Sequence, residues 1–219
     1  MLVKERMTRH PIIISSNTKA TEAQQIMAEN QIRHLPVASD GKRLEGLVTR
    51  TRLALKPDLL GSLNMWEISR QLGNLTVKDV MVKKEDVLTI GANRTIERAA
   101  KIMADHKIGC LPVIDADGAV EGIISEVDVL HSYQELMGLP VDGLRVTVRM
   151  PNRQGEFAKL MKVMAENRWG VMAVGTYPSF RREGFYDVVL KIPDTAEAEV
   201  RAAFSQIDGQ EVVDVRDVV

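Results

Sequence analysis

The 219-residue chain carries 29 basic and 30 acidic side chains, for a formal charge of −1, and is 45% hydrophobic but only 4% aromatic. That is a globular composition, and a near-zero charge excludes a general attraction to nucleic acid or anionic lipid. One cysteine, Cys110, excludes an internal disulfide framework and a four-thiolate zinc site; no apolar run approaches the roughly 18–20 residues that span a bilayer, and the first residues lack a signal peptide's apolar stretch, so a soluble, cytoplasmic protein is expected. The nine aromatics are skewed: Trp66 and Tyr133 lie in the first 144 residues, and Phe157, Trp169, Tyr177, Phe180, Phe185, Tyr186 and Phe204 follow. Two cores on different plans are expected, with a break at the turn residues around 139–143.

In chain order, residues 12–14 read as a short strand, followed by a helix with Ala23, Ile26 and Met27 at helical spacing. Leu-Pro-Val at 35–37, a turn at Asp40-Gly41 and the apolar run 46–49 form a β pair, and a helix starts at Thr49. Next comes a short amphipathic linker helix: Asn64 and Glu67 make a capping box, Met65, Ile68 and Leu72 a stripe, Gly73 a stop, and Trp66 a packing anchor. Then the first pattern returns, with its short strand at residues 87–90. Over residues 23–37 and 99–113, eight of fifteen positions are identical at an offset of 76, and Glu45-Gly46 meets Glu121-Gly122 at the same offset. Val3, Lys4 and Met7 meet Val77, Lys78 and Met81 at 74. Each copy is a β-α-β-β-α unit too small to bury both sheet faces alone, so the two should pack together.

Past residue 143 the periodicity changes. Residues 144–150 alternate as a half-buried strand, and Phe157, Leu160, Met161 and Met164 recur as the apolar face of a helix. Strands are predicted near 171–177 and 185–192, then a helix capped by Asp194 and Glu197 with a stripe at Val200, Ala203, Phe204 and Ile207, a stop at Gly209 and a last strand at 211–215. This βαββαβ order is a ferredoxin-like α/β sandwich.

The recurring motifs V-K-x-x-M, I-x-x-L-P-V and G-h-h-[ST]-x-x-[DR] resemble a tandem pair of cystathionine-β-synthase (CBS) domains, at 1–54 and 77–138 with a linker over 55–76. The resemblance implies a pseudo-twofold pair of βαββα repeats with two clefts that hold AMP, ADP, ATP or an S-adenosyl compound. In the second copy Ser125 would sit at a helix N-cap, where free N–H groups favour phosphate, and Asp128 would accept hydrogen bonds from ribose hydroxyls. By family correspondence Met7, Thr8, Ile32, Arg33 and His34 line the same cleft, Met7 and Ile32 against adenine and Arg33 or His34 toward phosphate. Ser-x-x-Asp is also a plain capping box, the commoner use of this spacing on its own, whereas its place inside the repeat favours the ligand reading. The first copy carries Arg52 where Asp128 would be; a guanidinium cannot accept from ribose, so the cleft of Thr49, Arg52, Met81 and Cys110 is expected to be degenerate.

The segment 144–219, with Asn152, Gly155 and Glu156 between its first strand and helix, resembles an ACT regulatory domain. That implies a small amino-acid-like effector at the glycine turn; a tight turn without ligand is the equal alternative. Asn152 and Gln154 stand where the family often has Asp and Pro. The combination resembles the CBS-plus-ACT regulators named for acetoin utilisation. No phosphate loop, dinucleotide motif, nucleophile elbow or metal-binding helix occurs, and His10, His34, His106 and His131 lack ligand spacing. The expected function is therefore non-catalytic: an adenosine-nucleotide sensor without required cofactor or metal, homodimeric, acting on a regulated enzyme or other protein, and binding neither nucleic acid nor membrane. The alternative is an oligomerisation adaptor with vestigial clefts.

Overall fold

A computed structural model describes residues 1–39, 42–54, 74–139 and 141–217. The expected linker helix, through residue 73, and the Asp40-Gly41 turn lie outside the described residues. The chain divides into two compact units, Met1–Leu130 and His131–Val219. The first copy of the repeat runs α1 (Val3–Arg6), β1 (Thr8–Arg9), α2 (Ala20–Glu29), β2 (His34–Ala38), β3 (Leu44–Thr49) and α3 (Arg50–Leu53). The second runs α4 (Val77–Val80), β4 (Val82–Lys83), α5 (Ile96–His106), β5 (Cys110–Ile114), β6 (Val120–Ser125) and α6 (Glu126–Leu136), whose second half belongs to the C-terminal unit.

The copies exchange their leading segments. One sheet has the order β1-β6-β5 and the other β2-β3-β4, so Thr8 pairs with Ile123 in the second copy while Val82 pairs with Leu47 in the first. Backbone bonds repeat the exchange: Val3 N–H donates to Arg94 O and Val77 N–H to Thr18 O, each at 2.8 Å. Val3 is fully buried among Ile90, Ile96, Ala99, Met103, Leu111, Val113 and Ile124, and Val77 among Ala23, Met27, Leu35, Val37 and Val48. Neither copy therefore closes its core with its own residues.

Glycine makes the crossing possible. A Cβ on Gly46 would lie 2.5 Å from Val82 O and 2.7 Å from Met81 Sδ; one on Gly122 would lie 2.6 Å from Met7 Sδ and 2.9 Å from Thr8 O. Each repeat glycine thus lets the other copy's methionine and strand cross directly above it.

The strands expected at 12–14 and 87–90 reduce to single parallel bridges, Ile14 to Val37 and Ile90 to Val113. Only Ile14 and Ile90 reach the core, while Ile12 and Leu88 are exposed. The prolines explain the sparse pairing: Pro36 O and Pro112 O accept from Ile14 and Ile90, on the side where each proline lacks an N–H.

The C-terminal unit contains β7 (Leu144–Pro151), α7 (Glu156–Glu166), β8 (Ala173–Pro178), β9 (Phe185–Ile192), α8 (Glu197–Phe204) and β10 (Glu211–Asp217). Its antiparallel sheet has the order β10-β7-β9-β8. Val146, Val148, Leu190 and Ile192 pack on Leu160, Met164, Val200 and Phe204, and the Trp169 ring meets Phe204 edge-on at 5.8 Å. Two expectations change. Phe157 is 40% exposed because Glu156, 4% exposed, takes the inward position one turn before Leu160. Asp194 does not cap α8: it adopts a left-handed φ of 49°, and Ala196 is the N-cap. On the sheet's other face Arg149 and Asp187 form a buried two-pronged pair at 2.8 and 2.9 Å.

Gly122→Ala should destabilise the protein by about 1–3 kcal/mol in urea unfolding, because the methyl meets backbone that cannot move aside. Gly91→Ala, where a Cβ meets nothing within 4 Å, should be near neutral in the same assay.

Candidate functional site

The two repeat helices end alike. Gln31 and Lys107 adopt left-handed φ values of 54° and 53°, and Ile32 and Ile108 N–H return to Met27 and Met103 O at 3.0 Å. This lock terminates the helix and satisfies a carbonyl that would otherwise be orphaned. It also delivers Ile32, Arg33 and His34 to the start of β2, and Ile108, Gly109 and Cys110 to the start of β5.

At the end of β6 the chain turns into α6 through a complete capping box. Ser125 N–H and Oγ–H both donate to Asp128 Oδ2 at 2.7 Å, and Asp128 N–H donates to Ser125 Oγ at 3.4 Å. The capping role read from Ser-x-x-Asp is therefore realised.

The two copies meet at a charged cluster. Arg33 Nη2 of the first copy lies 2.9 Å from Glu126 Oε1 of the second, with the side chains 49% and 48% exposed. Arg33 O accepts from Arg50 N–H at 2.8 Å and Gly109 O from Glu126 N–H at 3.0 Å, equivalent bonds in the two copies. A Cβ on Gly109 would lie 3.4 Å from His34 Cε1 and 3.6 Å from Glu126 Cδ, so glycine brings imidazole and carboxylate close. Burial, then the Arg33 charge, holds the His34 pKa below the usual 6.5 against the opposing pull of Glu126. Near neutral pH, Arg33 is thus the cluster's cation and His34 a neutral polar group.

The structure brings Ser125, Asp128, Glu126, Arg33 and His34 to the junction of β6, α6 and β2. Thr8 stands on the neighbouring strand opposite Ile123, and Met7 lies half-buried under Gly122. Ile32 packs partly into the first copy's core. In the first copy Thr49 Oγ accepts from Arg52 N–H at 3.3 Å, leaving the Arg52 side chain exposed, and Met81 packs against Gly46. Cys110, expected to line that cleft, is only 3% exposed, and burial, then Glu126, pushes its thiol up to about 12.

In the C-terminal unit Gly155 adopts φ 86° at the N-terminus of α7 with open space around it, and Asn152 N–H is bonded to Gly184 O. The Glu156 carboxylate accepts from Lys159 Nζ at 3.1 and 3.2 Å and from Gln210 Nε2 at 3.2 Å; these bonds, Lys159 first, hold it below the usual carboxylate range. Among the described residues no group of three or more His, Cys, Asp or Glu could hold a metal ion, and no helix is long and apolar enough to cross a membrane. Sequence reasoning missed Glu126. Its signal was available: Glu126 stands at the repeat position of Arg50, a charge reversal between otherwise matched copies.

The CBS domain family model matches residues 3–56 and 77–135. A Methanocaldococcus jannaschii relative, the uncharacterized protein MJ1225, is 33% identical over 137 residues, 60% of this chain and 47% of that protein. The chain spans less than half the length of the curated relatives it matches. Among solved structures, Vibrio cholerae AcuB, assigned to acetoin utilization, is 29% identical with a TM-score of 0.52, covering 64% of this chain and 94% of that one. CBSX2, solved in complex with AMP, is 25% identical with a TM-score of 0.50, covering 60% and 95%.

A thiol pushed up to about 12 should resist a disulfide reagent at pH 8 in the folded protein and react once urea unfolds it. Reaction at an ordinary thiol rate in the folded state would contradict the burial of Cys110. Asp128→Ala should cost about 1 kcal/mol in urea unfolding through loss of the cap.

Proposed function

Because this chain belongs to the CBS domain family, we propose that it is a non-catalytic regulatory protein that senses an adenosine ligand at the Ser125–Asp128 junction. The ligand is AMP, ADP, ATP or an S-adenosyl compound. Asp128 would accept from the ribose hydroxyls, the N-terminus of α6 and Arg33 would receive phosphate, and Met7 and Ile32 would contact adenine, with Thr8 and His34 beside them. One observation carries this reading: the capping carboxylate of one copy and the guanidinium of the other converge on the same helix N-terminus, through Arg33 and Glu126 at 2.9 Å. The AMP complex of CBSX2 supports the ligand class. Arg52 leaves the first-copy cleft without a ribose acceptor, so one strong site is expected.

In this reading a homodimer in the cytoplasm passes ligand occupancy to a regulated protein. That requires two arrangements of the chain with different ligand affinity. A second, amino-acid-like effector would sit near Asn152, Gly155 and Glu156 of an ACT-type unit. The open space at Gly155 supports it; the engagement of Glu156 by Lys159 and Gln210 weighs against it. The adaptor reading is favoured by a different fact: the Ser125 cap and the Arg33–Glu126 pair are both complete within the chain.

Isothermal titration with AMP and ATP, together with mass spectrometry of whatever copurifies with the native protein, separates the two. Sensing predicts saturable binding near one ligand per chain, and stabilisation by about 2.7 kcal/mol at a hundred times Kd. Asp128→Ala should abolish that binding while costing only the stability of a cap; unchanged affinity in Asp128→Ala, or no adenosine ligand bound at all, would favour the adaptor.

A further inference from the structure

The C-terminal unit holds a cavity of about 360 Å3, lined by Tyr133, Met137, Leu139, Arg145, Gly175, Thr176, Tyr177, Val189 and Lys191. Every one of these residues lies in His131–Val219. Its floor is the sheet face opposite the helices: Arg145 and Lys191 are register partners on β7 and β9, and Gly175 of β8 faces Val189. Its roof is the end of α6. Gly138, with φ 77°, ends that helix, and Met137 Sδ and Cε lie 3.7 Å from the point where a Gly175 Cβ would stand. The Met137 thioether thus rests at ordinary contact distance over a residue without a side chain.

Close-packed interiors leave few gaps larger than water, while small-molecule sites begin near 300 Å3 and combine apolar walls with a few polar groups. The walls here, Met137, Leu139, Val189 and the two tyrosine rings, are mainly apolar. The charged groups of the lining are both cations. Lys191 is 3% exposed, and its stem passes under Gly138 with Cδ 3.0 Å from the would-be Cβ. Arg145 makes both of its contacts through Nη1, to Thr147 Oγ at 3.1 Å and to Asp214 Oδ2 at 3.4 Å. Asp214 is held more closely by Arg216, at 2.6 and 2.7 Å. Among the described residues the Nε and Nη2 donors of Arg145 are thus left for an acceptor. A guanidinium edge of that kind matches a carboxylate.

We propose that this cavity binds a small organic monocarboxylate with an apolar body, its carboxylate on the Nε and Nη2 edge of Arg145 and its chain against Leu139, Tyr177 and Val189. The site is separate from the glycine turn at Gly155 and from the adenosine site, and the inference stands without either.

Hexanoate titrated into the full chain by calorimetry is the test, with hexan-1-ol as the same body without the charge. Hexanoate should bind saturably at millimolar concentration and hexan-1-ol roughly tenfold more weakly or not at all. Gly175→Leu fills the cavity from its floor and should abolish hexanoate binding; Arg145→Gln removes the fork and should weaken hexanoate to the level of hexan-1-ol. Neither change should alter the response to AMP, which reads the other unit. Absence of hexanoate binding to the unmodified chain would overturn the proposal, as would equal affinity in folded Arg145→Gln. If Gly175→Leu does not fold, Arg145→Gln alone decides.

Discussion

Reciprocal exchange of the leading segments is the constraint on which the first unit depends. A β-α-β-β-α repeat of this size cannot close a core, so each copy borrows a valine, a methionine and a two-residue strand from the other. The crossing works only where Gly46 and Gly122 remove the side chain that would strike the incoming strand. Two small cores thereby become one folding unit, since removing either leading segment opens the opposite copy. The exchange also brings Met7 and Thr8 of the chain start beside β6, some 115 positions later.

The site inherits this geometry. Residues on the left-handed turn after α2 reach the N-terminus of α6 because the copies share an interface, and Arg33 meets Glu126 there. Half-exposed ion pairs are worth only about 0.2–1 kcal/mol. Under the proposed adenosine-sensing function, an incoming phosphate, with more charge and a helix N-terminus to receive it, would displace Glu126 from Arg33 at small cost. The pair therefore holds the guanidinium in place without locking it. His34, kept neutral by burial, adds a polar contact without a second competing charge.

The C-terminal unit follows a different plan. Its aromatic-containing core lies under two helices, while the other sheet face carries charges in register: Arg149 on Asp187, and Arg145 beside Lys191. Burying such groups is costly unless they are paired and hydrogen-bonded, and the two-pronged Arg149–Asp187 contact answers that at one end of the face. At the other end Arg145 is paired with Asp214 at 3.4 Å.

Much of this was legible in the amino-acid order. The repeat, the βαββαβ succession and the Ser125 cap all follow from periodicity and local hydrogen bonding, which act over a few residues; α8, by contrast, ends at Phe204 with Ser205 as its C-cap, before the expected stop at Gly209. Identical residues at Gly46 and Gly122, and at Met7 and Met81, even marked the crossing points, though not what crossed there. Strand 12–14 misled because its apolar run promised a ladder that Pro36 cannot support. Phe157 misled because helical spacing cannot tell which of two adjacent residues, Glu156 or Phe157, turns inward; Lys159 and Gln210, which satisfy the Glu156 carboxylate, decide that. The sequence by itself determined most of the elements, their duplication and the change of periodicity past residue 143. Only the tertiary structure decided which copy completes which sheet, that Glu126 faces Arg33 across 93 positions, and that a cavity opens over Gly175, because these depend on contacts between residues whose separation along the chain carries no information about their separation in space.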